Sequence, residues 1–256
     1  MAETQFITVG GAPEGYDARL ILKEIESSNG PVIHIARDDK RLAAMQAALA
    51  HESEPTDSIP CYINVLVLRW GREVVVIDPG FGAASRPRFG WLEDGLAQIG
   101  ITHEQVTATF LSHAHIDHIG GLVAAGKPAF PNAAVYVLQT ELDFWFTPAP
   151  DFSQSHRNPA ELPGLISGNR EKFDILKNQT QKLTTGAALF GGRIVVEAAP
   201  GHTAGHAIFR ITAQGESLLH ISDLVHHAIL MFHDPSWVIG LDHHPAASVV
   251  TRKKVF

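Results

Sequence analysis

The sequence predicts an α+β protein, because short apolar runs typical of buried strands occur among stretches with the apolar spacing of helices. Two such runs, 62–70 and 73–77, lie on either side of Gly71-Arg72 and predict a hairpin. A third run, 106–111, predicts a buried strand that leads directly into a cluster of histidines. Segment 91–99 has the spacing of an amphipathic helix. A sheet that ends in such a cluster would present its polar side chains together on one loop.

Further elements are predicted in the second half of the chain. Strands are expected at 133–138, 192–198, 207–211 and 217–221, and helical turns at 121–125 and 172–182. Segment 147–169 contains Pro148, Pro150, Pro159 and Pro163 and is expected to be irregular. Irregular segments of this length usually cover a functional site or are disordered.

The first 57 residues are expected to be distinct from the rest, so that the chain divides into 1–57 and 58–256. A predicted helix at 17–27, a strand at 31–36 and a helix at 41–51 precede a polar, proline-bearing linker, ESEPTDSIP. The stretch GAPEGYDARLILKEIESSNGPVIHIARDDKRLAAMQAALA resembles the N-terminus of bacterial transcription-repair coupling factors. It carries no P-loop or motor motif, so the resemblance implies no helicase or DNA-binding function.

Composition argues against several classes of protein. The net charge is −7 and no block of Lys or Arg stands out, so no nucleic-acid partner is expected. The single cysteine, Cys61, excludes an internal disulfide framework. We expect no membrane partner and a cytoplasmic location, because the sequence has neither a long apolar run nor a signal-peptide pattern.

The stretch 112–121, SHAHIDHIGG, is the strongest functional motif in the sequence. His113 and His115 lie two residues apart and can point at one ion, while Asp117 and His118 can serve a neighbouring ion. Imidazole and carboxylate donors without a thiolate suit Zn, Mn, Fe or Co. A surface histidine cluster without metal is the alternative interpretation of the motif alone.

Two later strand-end loops supply further candidate donors. The loop PGHTAGH offers His202 as a third histidine ligand, whereas His206 is expected to pack behind the site or form a hydrogen bond. Asp223 ends a predicted strand and can bridge two cations, because a carboxylate offers two oxygens. Asp78 ends another strand in Asp-Pro-Gly, a sequence that also suits a simple turn.

These motifs resemble the metallo-β-lactamase superfamily over about residues 58–256. The stretches LSHAHIDHIGGL, FPNAAVYV, ELDFW, PGHTAGH and SDLVHHAILMFHDPSW, with Arg252, are similar to its branch of methyl-parathion-hydrolase-like enzymes and quorum-quenching lactonases. The resemblance implies a four-layer αββα sandwich in which Asp78 supports the metal loop from beneath. Zinc β-lactamases of the commonest class have cysteine at the place of Asp223, which argues against an antibiotic-degrading role.

The resemblance also implies a chemistry. It implies two divalent metal ions, and zinc is the metal expected before Mn, Fe or Co. The residues implied as their ligands are His113, His115, Asp117, His118, His202 and Asp223. A metal-bound hydroxide would attack a small-molecule lactone, ester or phosphotriester. Asp223 would bridge the ions, and Asp117 would take up or return a proton. The branch further suggests a homodimer.

The sequence departs from the family at one ligand. The family places a last histidine ligand of the second ion in a late loop of the form His-Phe/Tyr-Pro-Phe-Pro, which this sequence lacks. His243 and His244 are the candidate replacements, and the second site is expected to be weak. Phe144, Trp145 and Phe146, with Phe232 and Trp237 as further candidates, are expected to supply an apolar substrate pocket. The alternative is ordinary core packing, which is expected for at least half of these aromatic residues.

Three alternatives to a hydrolase of lactones, esters or phosphotriesters remain open at this point. The first is a thioesterase resembling glyoxalase II, which shares the ligand set. The second is an inactive metal-binding fragment, and the third is a docking module in which residues 1–57 bind a partner.

Overall fold

The computed structural model describes residues 5–10, 39–54, 56 and 63–256. Its strands are β1 (Gln5–Gly10), β2 (Asn64–Trp70), β3 (Glu73–Ile77), β4 (Ala108–Leu111), β5 (Val123–Ala124), β6 (Lys127–Pro128), β7 (Ala134–Leu138), β8 (Thr180–Leu183), β9 (Ala188–Leu189), β10 (Ile194–Ala198), β11 (Ala207–Ala213) and β12 (Glu216–His220). Two large sheets and one two-stranded sheet, β5-β6, lie within this part of the chain. The first large sheet has the order β1-β2-β3-β4-β7-β8, and the second has the order β12-β11-β10-β9.

Helices flank both sheets in the described residues. They are α1 (Asp39–His51), α2 (Leu92–Gln98), α3 (Ile116–Ile119), α4 (Gln139–Phe146), α5 (Leu162–Leu176), α6 (Ala228–His233) and α7 (Pro245–Val255). None of them is long and apolar enough to cross a membrane.

The sheets pack face to face, and their buried side chains form three layers of contact. Between the sheets, residues of β2, β3 and β4 such as Leu68, Ile77 and Phe110 pack against Val196 and Phe209 of the second sheet. The opposite face of the first sheet packs against helices α2 to α5. The outer face of the second sheet packs through Ile208 against α7. The predicted four-layer αββα sandwich is therefore confirmed.

Strand direction decides where the polar loops lie. β3, β4, β7 and β8 are parallel to one another, so the segments that follow β3 and β4 leave the first sheet at the same edge. β10 and β12 both pair antiparallel with β11 and therefore run in the same direction. The segments that follow them leave the second sheet together. Asp78, the histidine motif, the His202 loop and Asp223 follow these four strands.

Most of the predicted strands are confirmed, and three other local predictions were wrong. The hairpin around Gly71-Arg72 forms between β2 and β3. The turn predicted as a helix at 121–125 instead continues from a 3₁₀ turn into β5. Segment 147–169 is irregular only up to residue 158, because α5 begins at Leu162. Pro163 lies in the first turn of α5, where proline loses no helical hydrogen bond. The predicted helix at 172–182 ends at Leu176 and is followed by β8.

The N-terminal segment is described only in part. Helix α1 confirms the helix predicted at 41–51, and its buried Met45 and Leu49 pack against Leu230 and Trp237. Strand β1 was not predicted, and it pairs antiparallel with β2 at the edge of the first sheet. The helix predicted at 17–27 and the strand predicted at 31–36 lie outside the described residues. The division of the chain at residue 57 stays a prediction.

Arg252 is a fully buried cation that joins α7 to two preceding segments. Its Nε donates to the Leu224 carbonyl at 2.7 Å, and its Nη1 donates to the Trp237 carbonyl at 2.6 Å and the Pro235 carbonyl at 2.8 Å. A buried guanidinium is tolerated when its donors find acceptors in this way.

Replacing Arg252 by methionine is expected to lower the free energy of unfolding by about 3 kcal/mol or more, because three carbonyls lose a charged donor. Denaturant unfolding measures the change. The matched control is Lys253→Met, which alters an exposed neighbour on the same helix and should have little effect. Equal stability of the two variants would contradict this account of Arg252.

Candidate metal centre

The histidine motif forms a compact turn between β4 and α3. Strand β4 ends at Leu111, and His113 lies in the loop that follows. His115 has extended backbone angles and precedes α3, whose single turn carries Asp117 and His118. Gly121 allows the chain to pass close to the segment after β3. A Cβ on Gly121 would lie 2.1 Å from the Pro79 carbonyl oxygen, so no other residue fits there.

A first group of four donors converges at the sheet edge. It contains His113, His115, His202 and Asp223, whose donor atoms all lie within 4.8 Å of one another. His115 Nδ1 is 3.0 Å from His113 Nε2 and 2.8 Å from His202 Nε2. Asp223 Oδ2 is 3.3 Å from His202 Nε2. Two ligand atoms of a tetrahedral zinc ion, each about 2.1 Å from it, lie roughly 3.4 Å apart, so the group has the spacing of a metal site.

A second group of three donors adjoins the first. It contains Asp117, His118 and again Asp223. His118 Nε2 is 3.5 Å from Asp117 Oδ2 and 3.3 Å from Asp223 Oδ1. The two oxygens of Asp223 therefore face different groups. The structure brings together all six residues that the sequence indicated as metal donors, and their role as ligands stays a prediction.

Asp78 lies directly beneath the histidine motif. Its carboxylate accepts hydrogen bonds from the Ser112 backbone N–H at 2.8 Å, the Ser112 hydroxyl at 2.7 Å and the Ser222 hydroxyl at 3.0 Å. It also lies 3.0 Å from His118 Nδ1, the ring nitrogen that faces away from the second group. Asp78 thus has the supporting position expected from the sequence, and it orients His118 for a ligand on the opposite nitrogen.

Asp242 has the same relation to His202. The carboxylate is fully buried, and its Oδ1 lies 2.9 Å from His202 Nδ1, which leaves Nε2 directed at the first group. Asp242 directly precedes His243 and His244, and no role was predicted for it from the sequence. A carboxylate partner of a ligating histidine is a recurrent feature of metal sites, so an aspartate beside late histidines was the available signal.

Glu141 was missed by sequence reasoning and connects the two histidine loops. This fully buried carboxylate accepts hydrogen bonds from the Ala114 backbone N–H, between His113 and His115, at 2.9 Å. It also accepts from the Thr203 hydroxyl at 2.6 Å and the Gly205 backbone N–H at 2.9 Å, both in the His202 loop. Trp145 Nε1 donates to it at 2.8 Å from the same helix, α4.

Comparison with known proteins identifies the family. A family model described as "Metallo-beta-lactamase superfamily" matches residues 58–254. The chain belongs to this superfamily.

Curated relatives match part of the chain. The chain is 26% identical over 161 residues to the uncharacterized protein Rv2581c of Mycobacterium tuberculosis, a match that covers 61% of this chain and 63% of that protein. The Mycobacterium bovis protein Mb2612c matches to the same extent. The match thus spans less than two thirds of the length of these relatives.

Two solved structures share the fold over 99% of this chain. One is AidC, a dizinc quorum-quenching lactonase in complex with its product N-hexnoyl-L-homoserine, with 24% identity, a TM-score of 0.80 and 85% of its chain covered. The other is AbOPH, described as a hydrolase in the beta lactamase superfamily, with 22% identity, a TM-score of 0.78 and 82% covered. At these identities the likeness concerns the metallo-β-lactamase fold alone.

The structure does not bring His243 or His244 into the second group of this metallo-β-lactamase domain. His243 Nε2 instead lies 3.2 Å from His115 Nε2, on the far side of the first group. His244 accepts a hydrogen bond from the Ala247 backbone N–H and begins α7. Among the described residues, the second group therefore has three donors where the first has four.

The aromatic residues predicted to line a pocket are divided among several places. Phe144 lies near the site, with its ring 5.2 Å from His243, and Phe152, which was not predicted, lies 4.6 Å from the same ring. Trp145 is fully buried. The others lie elsewhere: Phe146 packs on Phe173, Phe232 stacks on Phe256, and Trp237 packs against α1.

Charge within the metallo-β-lactamase site is balanced between buried histidines and carboxylates. Burial lowers the pKa of His113 and His115 well below the usual value. Burial acts in the same direction on His118, but the charges of Asp223, Asp78 and Asp117 outweigh it and raise that pKa well above the usual value. Hydrogen bonds to Asp223 and Asp242 likewise outweigh burial and raise the pKa of His202 to about 9. A cation that entered this site would replace protons on His118 and His202.

His206 lies behind the first group, as expected. Its Nδ1 donates to the Ala199 carbonyl at 3.1 Å. Burial, followed by the positive charge of His202, lowers the pKa of His206 to about 3. The neutral ring is therefore favoured in the folded protein, and its contribution to stability is present above pH 6.5 and is lost as the pH falls towards 3.

His206→Gln is expected to make the metal-free protein less sensitive to acid. Between pH 6.5 and pH 3 the slope of unfolding free energy against pH should fall, because the variant takes up one proton fewer on unfolding. One proton corresponds to about 1.4 kcal/mol per pH unit at most. Denaturant titrations across this range provide the slopes. An unchanged slope would show that His206 takes up its proton without cost in the folded state.

Proposed function

We propose that the protein is a metal-dependent hydrolase of small-molecule lactones, carboxylic esters or phosphotriesters. One observation carries the proposal: Asp223 directs one carboxylate oxygen at each of two adjacent groups of donors. Adjacent groups that share a carboxylate suit a pair of divalent ions, and paired ions favour displacement by an activated water.

The donor set fits such a pair. His113, His115, His202 and Asp223 would hold one ion, and Asp117, His118 and Asp223 would hold the other. Neutral imidazoles and carboxylates without a thiolate suit zinc, and manganese, iron or cobalt accept the same donors. The lowered pKa of His113 and His115 keeps both rings neutral, which is the form that binds a metal.

The bound ions would polarise a carbonyl or phosphoryl oxygen and lower the pKa of water to about 7. The side chains of this chain provide the remaining functions. Asp117 is partly exposed and would hold or return a proton as the leaving oxygen departs. Phe144 and Phe152 would contact an apolar part of the substrate. Asp78, Asp242 and Glu141 would keep the donors oriented.

A second candidate is a protein that binds one ion firmly and has no hydrolytic activity. The three donors of the second group favour it, because water would have to complete that site. The two candidates differ in metal content and in turnover.

The wild-type protein, purified without chelator or affinity metal, is expected to contain two equivalents of divalent metal by plasma mass spectrometry. His118→Ala should retain one equivalent, because its ring serves only the second group, whereas Asp223→Ala should lose both. The control His156→Ala changes an exposed histidine and should retain two. One equivalent in the wild type would favour the second candidate.

His115→Ala is expected to abolish hydrolysis while the protein stays folded, because it removes a central donor of the first group. The assay compares paranitrophenyl esters, acyl-homoserine lactones, paraoxon-like triesters and S-lactoylglutathione, with circular dichroism as the test of folding. His156→Ala should retain wild-type rates. Full activity of His115→Ala would refute the proposed site, and selective turnover of the thioester would favour the thioesterase.

A further inference from the structure

Arg157 brings a guanidinium to the rim of the metal centre. It lies in the irregular segment between α4 and α5, and its Nη2 is 2.9 Å from His115 Nε2. Its Nε is buried and has no hydrogen-bond partner among the described residues. Arginine offers only donors, so each of these nitrogens requires an acceptor.

The two ring nitrogens of His115 have different surroundings. Nδ1 faces His113 Nε2 and His202 Nε2 at ligand spacing, whereas Nε2 faces Arg157 and His243. A metal ion on Nδ1 requires a lone pair there, so the neutral ring carries its proton on Nε2. That N–H can donate to His243 Nε2, 3.2 Å away, but it cannot accept from Arg157.

Metal binding at His115 Nδ1 would therefore leave Arg157 Nη2 without an acceptor on His115. Three carboxylates, those of Asp117, Glu161 and Asp242, act on Arg157 through their charge, but none of them forms a hydrogen bond or an ion pair with it among the described residues. Asp242 directs Oδ1 at His202, Asp117 lies beside His118, and Glu161 is exposed. A guanidinium with two free donors at the rim of a metal centre suits a planar oxyanion, which it can bind with two parallel hydrogen bonds.

The position of Arg157 also indicates which part of the substrate it would contact. Its partner His115 lies against His243, whose ring is bordered by Phe144 and Phe152. The rim thus combines an apolar wall with one cation, an arrangement that suits a chain ending in an oxyanion.

We propose that Arg157 binds the oxyanion that hydrolysis produces, a carboxylate from a lactone or ester, and that it becomes available when a metal ion occupies His115 Nδ1. This inference rests on the proposed hydrolase function. A dialkyl phosphate from a phosphotriester has the same chemistry, and the test includes both anions.

The test is calorimetric titration of zinc-loaded protein with hexanoate and, separately, with diethyl phosphate. Arg157→Gln is expected to weaken binding of the preferred anion about tenfold or more, because a bidentate charged contact is lost. Arg157→Lys should recover part of the affinity, and metal content should be unchanged. The charge-matched control Arg72→Gln, at the exposed hairpin turn, should bind as the wild type does.

The outcomes separate this inference from the function on which it rests. Wild-type affinity in Arg157→Gln would overturn the role of Arg157 even if hydrolysis is observed, since the anion would then be held by metal alone. Lower affinity that is matched by lower metal content would overturn it as well. Arginine-dependent anion binding in a protein that hydrolyses none of the four substrate classes would support the site and contradict the proposed hydrolase.

Discussion

The arrangement of the site depends on the hydrogen bonds that the carboxylate of Glu141 accepts. It is fully buried, and four donors from three segments converge on it. A buried carboxylate is tolerated only when such donors surround it, and losing any of them is costly because the charge remains. Glu141 therefore fixes the spacing between the loop after β4 and the loop after β10. Gly205 also lies close to the backbone of Glu141. A Cβ at position 205 would be 2.1 Å from the Glu141 backbone nitrogen, so this contact between the His202 loop and α4 requires glycine.

The two sheets contribute to the site in a symmetrical way. Each provides strands that run in one direction and end at a common edge, and each presents histidine on one loop and aspartate on another. The aspartates differ in role. Asp78 and Asp242 lie behind histidines and orient them, whereas Asp223 faces both donor groups. The backbone supplies the positions of the donors, and the two buried carboxylates behind the site determine which nitrogen His118 and His202 present.

The donors could be predicted from the sequence because their signals are local. His113, His115, Asp117 and His118 lie within six residues, and His202 and Asp223 each follow a recognisable strand. The residues that orient them could not be predicted in this way. Asp242 lies 40 residues from His202, and Glu141 lies 27 residues from Ala114 and 62 from Thr203. Asp242 belongs to none of the short motifs, and the ELDFW stretch that begins at Glu141 does not indicate which loops its carboxylate contacts, so only the folded chain pairs the two residues with the histidines.

The prolines of segment 147–169 led to a wrong prediction of secondary structure. Four prolines between residues 147 and 169 predicted an irregular segment, yet α5 begins within it. Proline excludes helix interiors and suits first turns, so its meaning depends on where a helix begins. The sequence alone did not reveal that boundary. The irregular part that remains is the segment that carries Arg157.

Because the first donor group takes His113 and His115 from one sheet and His202 and Asp223 from the other, an ion bound there would be a folding ligand as well as a cofactor. Free ion at about 100 times its dissociation constant stabilises a folded protein by about 2.7 kcal/mol. The free energy of unfolding would then depend on the concentration of free metal ion. Loss of the ion would raise the fraction of unfolded chain, which is the form that proteases cleave.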